Sequence, residues 1–179
     1  MEGQDHIEDF GDHDQLPIGY RFVPTDEELV NHYFMNKVLC NPLPASTFHE
    51  IHATKFYSMP PKSLVEFASD ERQWFFFIDD DDDDDDDEKK KGIRRVGDGV
   101  GFWHSNGDEE EKPILDPNGN VLAFKLHLIY FSGTLSNPKK THWSMDQYRL
   151  PNQFYSLHNL KEEWAVGRLR RGRDYNFGF

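Results

Sequence analysis

The stretch LPIGYRFVPTDEELVNHYFMNKV, residues 16–38, decides how the chain begins to fold. Thr25 is followed three residues later by Glu28, the spacing at which an N-cap hydroxyl and a glutamate satisfy each other's backbone amides. The two acids between them place negative charge at the positive end of the helix dipole. Apolar side chains then recur with helical spacing at Leu29, Val30, Tyr33, Phe34 and Val38. The pattern predicts an amphipathic helix that begins after Thr25 and ends before the Asn-Pro pair at residues 41–42.

The rest of the chain reads mainly as strands. A short strand or turn is predicted at residues 48–57, and a second short helix at residues 60–68. The aromatic run at residues 74–78 predicts a buried strand, and residues 79–99 predict a mobile loop. Short apolar runs or alternating patterns predict further strands at residues 101–104, 121–131, 141–150 and 164–169, with a hairpin turn at residues 116–120. Helices first and consecutive strands afterwards indicate an α+β fold with a mainly antiparallel sheet.

Charge is distributed unevenly along the 179 residues. Residues 1–14 hold six acids and no base, and residues 79–88 hold nine aspartates followed by one glutamate. Without these two segments the chain would carry +3, whereas the whole chain carries −13. We expect residues 1–14 to form a disordered acidic tail and residues 79–88 a solvated loop insertion, because neighbouring like charges resist burial. The second half of the chain is mildly basic, which favours a polyanion as partner.

Three interpretations of the acidic insertion are open. It is a neutral insertion in a loop that tolerates length, since doubling a loop costs only about 0.6 kcal/mol. Alternatively, it folds over the adjacent lysines and arginines and competes with phosphate, or it docks basic partners such as histones. The run lacks the spaced ligands and the turn glycine of a calcium loop.

Enzyme chemistry has no support in the sequence. Cys40 is the single cysteine, which excludes an intramolecular disulfide and a zinc site built on several cysteines. No motif gives it a histidine partner, and no phosphate loop, paired-carboxylate motif or zinc spacing is present. We therefore expect no catalytic residue, no metal, no cofactor and no small-molecule substrate. No apolar run approaches the roughly 20 residues of a membrane span, and no secretory signal is recognisable.

Six stretches resemble, in the right order, the motifs of the plant NAC transcription-factor domain. They are LPIGYRFVPTDEELVNHYF at residues 16–34, QWFFF at 73–77, VGFWHSNG at 100–107, LIYFSG at 128–133, KKTHWSMDQYRL at 139–150 and EEWAVGRL at 162–169. The resemblance implies a twisted antiparallel sheet between helical elements, action in the nucleus, and dimers formed through the N-terminal segment. It also implies that one strand edge reads double-stranded DNA with CGT-containing cores in the major groove.

The resemblance assigns candidate DNA-binding residues to two groups. The strand group is Trp103, His104, Ser105, Asn106 and Lys112. The phosphate anchors are Lys91, Arg94, Arg95, Lys125, Lys139 and Lys140. This chain departs from the family because His104 replaces a motif lysine and is a weaker anchor when neutral. The acids at residues 108–111 would face and repel phosphates, so the strand could instead be an ordinary solvated edge that has lost DNA contact.

The resemblance places the dimer contact in the first motif. Leu16, Pro17 and Gly19 suit pairing with their twins across a two-fold axis. In the family, the arginine and the last glutamate of this motif pair across the dimer, which implies Arg21 and Glu28 here. The alternative is that Glu28 only caps its own helix and Arg21 is a solvated cation.

Two functional hypotheses follow. The first is a sequence-specific DNA-binding regulator of transcription that acts as a homodimer or as a heterodimer with other NAC proteins. The second is a dimerisation module with weak or lost DNA binding that sequesters full-length relatives, because the chain stops soon after the fifth motif. In both, the domain is expected at residues 15–171, between the acidic tail at 1–14 and a short tail at 172–179.

Overall fold

A computed structural model describes residues 22–44, 48–65, 72–79, 92–97, 99–105, 111–161 and 163–172. Helix α1 begins with Asp26–Glu28, continues as a π-helical segment over Leu29–Phe34 and finishes with Met35–Val38. Three short helices follow: α2 is Ala53–Phe56, α3 is Pro61–Leu64 and α4 is Asn152–Leu157. No helix in these ranges is both long and apolar enough to cross a membrane.

Within the described ranges, eight strands form one sheet. Their bounds are β1 Phe48–His52, β2 Gln73–Asp79, β3 Ile93–Val96, β4 Gly101–His104, β5 Lys112–Leu115, β6 Val121–Thr134, β7 Asn137–Arg149 and β8 Trp164–Arg171. The order across the sheet is β1-β2-β8-β7-β6-β4-β3, with β5 also paired to β6. Among the described strands, only β1 and β2 pair in parallel, which confirms the predicted α+β fold with a mainly antiparallel sheet.

The predicted first helix is confirmed down to its cap. The Thr25 side chain accepts from the Glu28 amide, and the Glu28 carboxylate accepts from the Thr25 amide. The helix ends at Val38 because Cys40 adopts a left-handed backbone with φ of 57°. The amide of Cys40 donates to Lys37 and that of Asn41 to Asn36, so the last carbonyls of the helix are satisfied.

Strand β2 shows why an uninterrupted aromatic run folds as a strand. Successive side chains point to opposite faces, and both faces are covered. Phe75 and Phe77 pack with Leu29 and Phe34 of α1 in one core cluster. Trp74 and Phe76 face the other way, into a second cluster that contains Phe56, Trp103, Leu128, Tyr130, Met145 and Leu169. Each fully buried aromatic ring stabilises the fold by about 1.5–3 kcal/mol.

The structure departs from the sequence predictions at several places. Residues 79–99 were expected to be a loop, but Ile93–Val96 pairs with β4 as the outermost strand. Strand β5 and helix α4 were not predicted. The last strand was predicted at residues 164–169, but β8 continues to Arg171. Residues 1–14, residues 80–88 of the acidic insertion and residues 173–179 lie outside the described ranges, as do residues 66–68 of the predicted second helix.

Candidate nucleic-acid interface

Strands β3 and β4 form one end of the sheet. Ile93 lies opposite His104, Arg94 opposite Trp103 and Arg95 opposite Phe102. Since β3 is the last strand in the sheet order of the described residues, its outer edge has no strand partner there. Among the described residues, this end is therefore an open strand edge of the sheet.

The two arginines of β3 point to opposite faces. The Arg94 guanidinium lies 5.3 Å from the centre of the Tyr57 ring, where it makes a cation–π contact. Arg95 is exposed on the other face. Successive residues of a strand point to opposite sides, so the two side chains lie on opposite faces of β3.

Strand β4 is fixed from behind by its own side chains. Trp103 is fully buried, with its ring centre 5.2 Å from that of Tyr130. Phe102 stacks on Phe131 at 5.4 Å. Trp103 was expected among the DNA-binding residues, but a side chain in the core cannot reach a base edge. Its contribution is to hold the strand that presents His104.

The end of β4 is tied to the start of β3. The Ser105 amide donates to the Gly92 carbonyl at 3.1 Å. A Cβ on Gly92 would lie 2.2 Å from the Ser105 hydroxyl oxygen and 3.0 Å from its Cβ, and the φ of 70° is one that glycine adopts most readily, so both features favour glycine here. Ser105 is buried and cannot itself contact DNA, whereas His104 is half-buried. Asn106 and Lys91, the neighbouring predicted contacts, lie outside the described residues.

The β6–β7 hairpin carries two exposed lysines on β7, which β6 separates from β4. Lys139 lies opposite Ser132 and Lys140 opposite Phe131, on alternate faces of the hairpin. The amide of Gly133 in this hairpin donates to the Val100 carbonyl just before β4, at 3.1 Å. That bond joins the hairpin to the start of β4. Lys139 and Lys140 lie opposite Ser132 and Phe131, which pair with Gly101 and Phe102, whereas His104 lies at the other end of β4.

Lys112 and Lys125 lie elsewhere. Strand β5 pairs with the opposite half of β6 from β4, and Lys112 is exposed there, opposite Lys125. The Lys125 ammonium is 2.9 Å from one carboxylate oxygen of Asp26 and 3.8 Å from one of Asp146. Lys125 is thus occupied by ion pairs inside the domain, and we remove it from the interface.

Part of the acidic segment before β5 also turns inward. Both carboxylate oxygens of Glu111 accept from the Arg149 guanidinium, one of them at 2.6 Å from Nη2. The same guanidinium lies 4.3 Å from the centre of the Phe124 ring. Glu111 was expected to repel phosphates, but its charge is balanced by Arg149. The other acids of that segment lie outside the described residues.

Glu28 is the one predicted dimerisation residue within the described ranges. Its side chain caps its own helix and is exposed, so it remains accessible to a second partner. Leu16, Pro17, Gly19 and Arg21 lie outside those ranges.

Sequence reasoning missed a polar cluster around Asp146. The carboxylate is buried; His127 Nδ1 lies 2.7 Å from one oxygen and Arg170 Nη1 lies 2.8 Å from the other. Burial alone would raise the pKa of Asp146, but the hydrogen bond from His127 and the charges of Arg170 and Lys125 lower it below its usual range. Within the described ranges, no group of His, Cys, Asp and Glu is arranged to hold a metal ion.

Comparison with known proteins gives consistent matches. The family model described as No apical meristem (NAM) protein matches residues 17–150. The chain is 31% identical over 156 residues to Protein CUP-SHAPED COTYLEDON 3 of Arabidopsis thaliana, which covers 86% of this chain and 44% of the relative. It is 35% identical over 141 residues to NAC transcription factor 25 of the same plant (77% and 40%) and 31% identical over 162 residues to NAC domain-containing protein 2 of Oryza sativa subsp. japonica (86% and 48%). The chain therefore spans less than half the length of each of these relatives.

Proposed function

This chain belongs to the No apical meristem (NAM) family of plant NAC proteins, and on that premise we propose that it regulates transcription by binding double-stranded DNA as a dimer in the nucleus. The observation that carries the proposal is the basic end of the sheet. We define the basic edge as Arg94, Arg95, Lys139 and Lys140, which lie on β3 and on the β6–β7 hairpin, on either side of β4.

Geometry supports this use of the basic edge. Base readout needs a strand held in register by phosphate contacts on either side. Trp103 and the Gly92–Ser105 bond hold β4 from within, and the Gly133 amide joins it to the lysine-bearing hairpin. Arg95, Lys139 and Lys140 are exposed. We propose a CGT-containing core as the preferred sequence, on the basis of the family alone.

One observation favours the second candidate function, a dimerisation module with weak DNA binding. Lys125 is withdrawn into ion pairs, and His104 is half-buried where the family has a lysine. Neither Lys125 nor His104 therefore offers DNA the exposed ammonium group that a phosphate anchor needs. The two candidates differ in how strongly DNA affinity depends on salt.

The double variant Lys139→Ala/Lys140→Ala tests the proposal. Each phosphate contact contributes a slope of about 0.9 in log affinity against log salt, so four lost contacts in a dimer lower the slope by about 3.6. Lys37→Ala is the matched control, because Lys37 pairs with Glu50 on β1, at the opposite edge of the sheet. Fluorescence anisotropy with a CGT-core duplex at several salt concentrations measures the slope of log affinity against log salt for the wild type, the double variant and the control. Equal slopes for the double variant, the control and the wild type would remove the hairpin from the interface.

A further inference from the structure

The chain segment that enters helix α1 is held by three strands of the sheet. Arg168 of β8 donates from Nη1 to the Pro24 carbonyl at 3.0 Å. Tyr148 of β7 donates its hydroxyl to Asp26 Oδ1 at 2.6 Å, and Lys125 of β6 lies 2.9 Å from Asp26 Oδ2. The sheet therefore fixes both carboxylate oxygens of Asp26 and the carbonyl oxygen of Pro24.

The residues that make these contacts are themselves immobilised. Arg168 is 4% exposed, and its Nε and Nη2 both donate to Gln73 Oε1, at 3.1 and 3.0 Å. Tyr148 is fully buried, and burial together with its hydrogen bond to Asp26 raises the pKa of its hydroxyl. A buried guanidinium and a buried hydroxyl have fixed directions, so they specify one position for the backbone that they hold.

A second carboxylate supports this arrangement. Lys125 stands between Asp26 and Asp146, and Asp146 also binds Arg170 and His127. The contacts form one chain of charges from the start of α1 across β6, β7 and β8. Two carboxylates face the two cations Lys125 and Arg170, so neither carboxylate is left without an opposite charge.

Helix formation alone does not require these contacts. Thr25 and Glu28 already cap α1, and its apolar side packs in the first core cluster. The contacts from β6, β7 and β8 act on Asp26, the first residue of the helix, and on Pro24, just before the N-cap. They fix the position of these two residues against the sheet.

We propose that Lys125, Tyr148 and Arg168 form an arm clamp, a set of positioning residues that hold Pro24 and Asp26 so that the preceding segment is presented to a second copy of this chain. The inference rests on the proposed function, because it takes dimerisation through residues 16–21 from there. It assigns Lys125 a role in dimerisation in place of the phosphate contact suggested by its charge. Strands β6 and β7 also carry the lysine hairpin, so the clamp joins the dimer contact to the basic edge through the same two strands.

Tyr148→Phe tests the clamp, because it removes only the hydroxyl that binds Asp26. Tyr155→Phe is the matched control: Tyr155 is a buried tyrosine of the same core cluster, and its hydroxyl contacts Trp164 at 3.3 Å. The full chain is diluted and its dimer dissociation constant is measured by sedimentation, with urea unfolding in parallel. We expect the Kd to rise about tenfold in Tyr148→Phe, the effect of losing a hydrogen bond to a charged group, and to stay unchanged in Tyr155→Phe.

The outcomes separate the clamp from simple stability and from the proposed function. A Kd for Tyr148→Phe equal to that of wild type and control overturns the clamp. A wild type that stays monomeric overturns both the clamp and the proposed dimer. A dimer of normal Kd that fails to bind DNA contradicts only the proposed DNA reader. If Tyr148→Phe does not fold, Lys125→Met removes the other partner of Asp26 while it keeps an apolar stem, and the same rise in Kd is expected.

Discussion

Asp146→Asn removes the negative charge at the centre of the polar cluster while it keeps the shape of the side chain. The Asp146 side chain is 3% exposed and faces Arg170 at 2.8 Å, His127 at 2.7 Å and Lys125 at 3.8 Å. The asparagine can accept from one of these groups but offers no charge to any of them. Arg170 and Lys125 would keep their charges beside a neutral amide.

The expected cost follows from how far the partners are buried. Breaking a fully buried ion pair costs about 3–5 kcal/mol. Here the side chains of Arg170 and His127 are 35% and 39% exposed, so water recovers part of that energy. We therefore expect Asp146→Asn to lower the free energy of unfolding by about 2–3 kcal/mol at neutral pH.

The same reasoning fixes the pH dependence. The folded-state pKa of Asp146 is lowered, so its contribution is fully present above the unfolded value of about 3.9 and is lost as pH falls through the folded value. Urea unfolding, followed by tryptophan fluorescence, measures the free energy of unfolding of wild type and Asp146→Asn. The difference between the two free energies should narrow as the solution is acidified. Glu50→Gln is the control, because Glu50 is 59% exposed in its pair with Lys37 and should cost less than about 0.5 kcal/mol. A cost no larger than this control, or a gap that widens in acid, would refute the reasoning.

Three further substitutions test the account by urea unfolding. Tyr130→Phe should leave stability unchanged or raise it by about 1 kcal/mol, because the buried hydroxyl has no hydrogen-bond partner among the described residues; a clear loss would mean that an ordered water or another group binds it. Gly101→Ala should cost at least about 1–3 kcal/mol, since a Cβ there would lie 2.2 Å from the Tyr130 hydroxyl and 2.5 Å from the Phe131 carbonyl oxygen; wild-type stability would contradict that packing. Thr25→Ala should cost about 1 kcal/mol through loss of its cap to Glu28, and no change would show that the sheet contacts alone fix the helix start.

Local signals in the sequence were sufficient for the elements that depend on local physics. The Thr25–Glu28 capping box and the helical spacing of apolar residues act within a few positions, and the predicted start of α1 agrees with the structure. The aromatic run of β2 has the composition of a buried strand. In the turn at residues 116–120, the Asp116 carboxylate accepts hydrogen bonds from the backbone amides of Asn118 and Asn120.

The missed features depend on partners far along the chain. Ile93–Val96 is short and lies among glycines and charges, so only its pairing with β4 makes it a strand. Asp146 looked like the polar, outward residue of an alternating strand, but both faces of β7 are covered at that point. Its partners Lys125 and Arg170 come from neighbouring strands at distant sequence positions, and no spacing rule connects them. Lys125 was assigned to DNA for the same reason, because its charge is visible in the sequence and its ion pair with Asp26 is not.

Binding of the intact dimer to a CGT-core duplex and to a duplex with that core changed, each at two salt concentrations, tests the central claim most directly. With four cations of the basic edge in each protomer, up to eight phosphate contacts would give a slope of about −7 in log affinity against log salt. The account predicts tighter binding to the CGT core at both salt concentrations and a steep slope of this order. No binding to either duplex by a chain that is folded and dimeric would contradict it and leave the dimerisation module as the function of this chain.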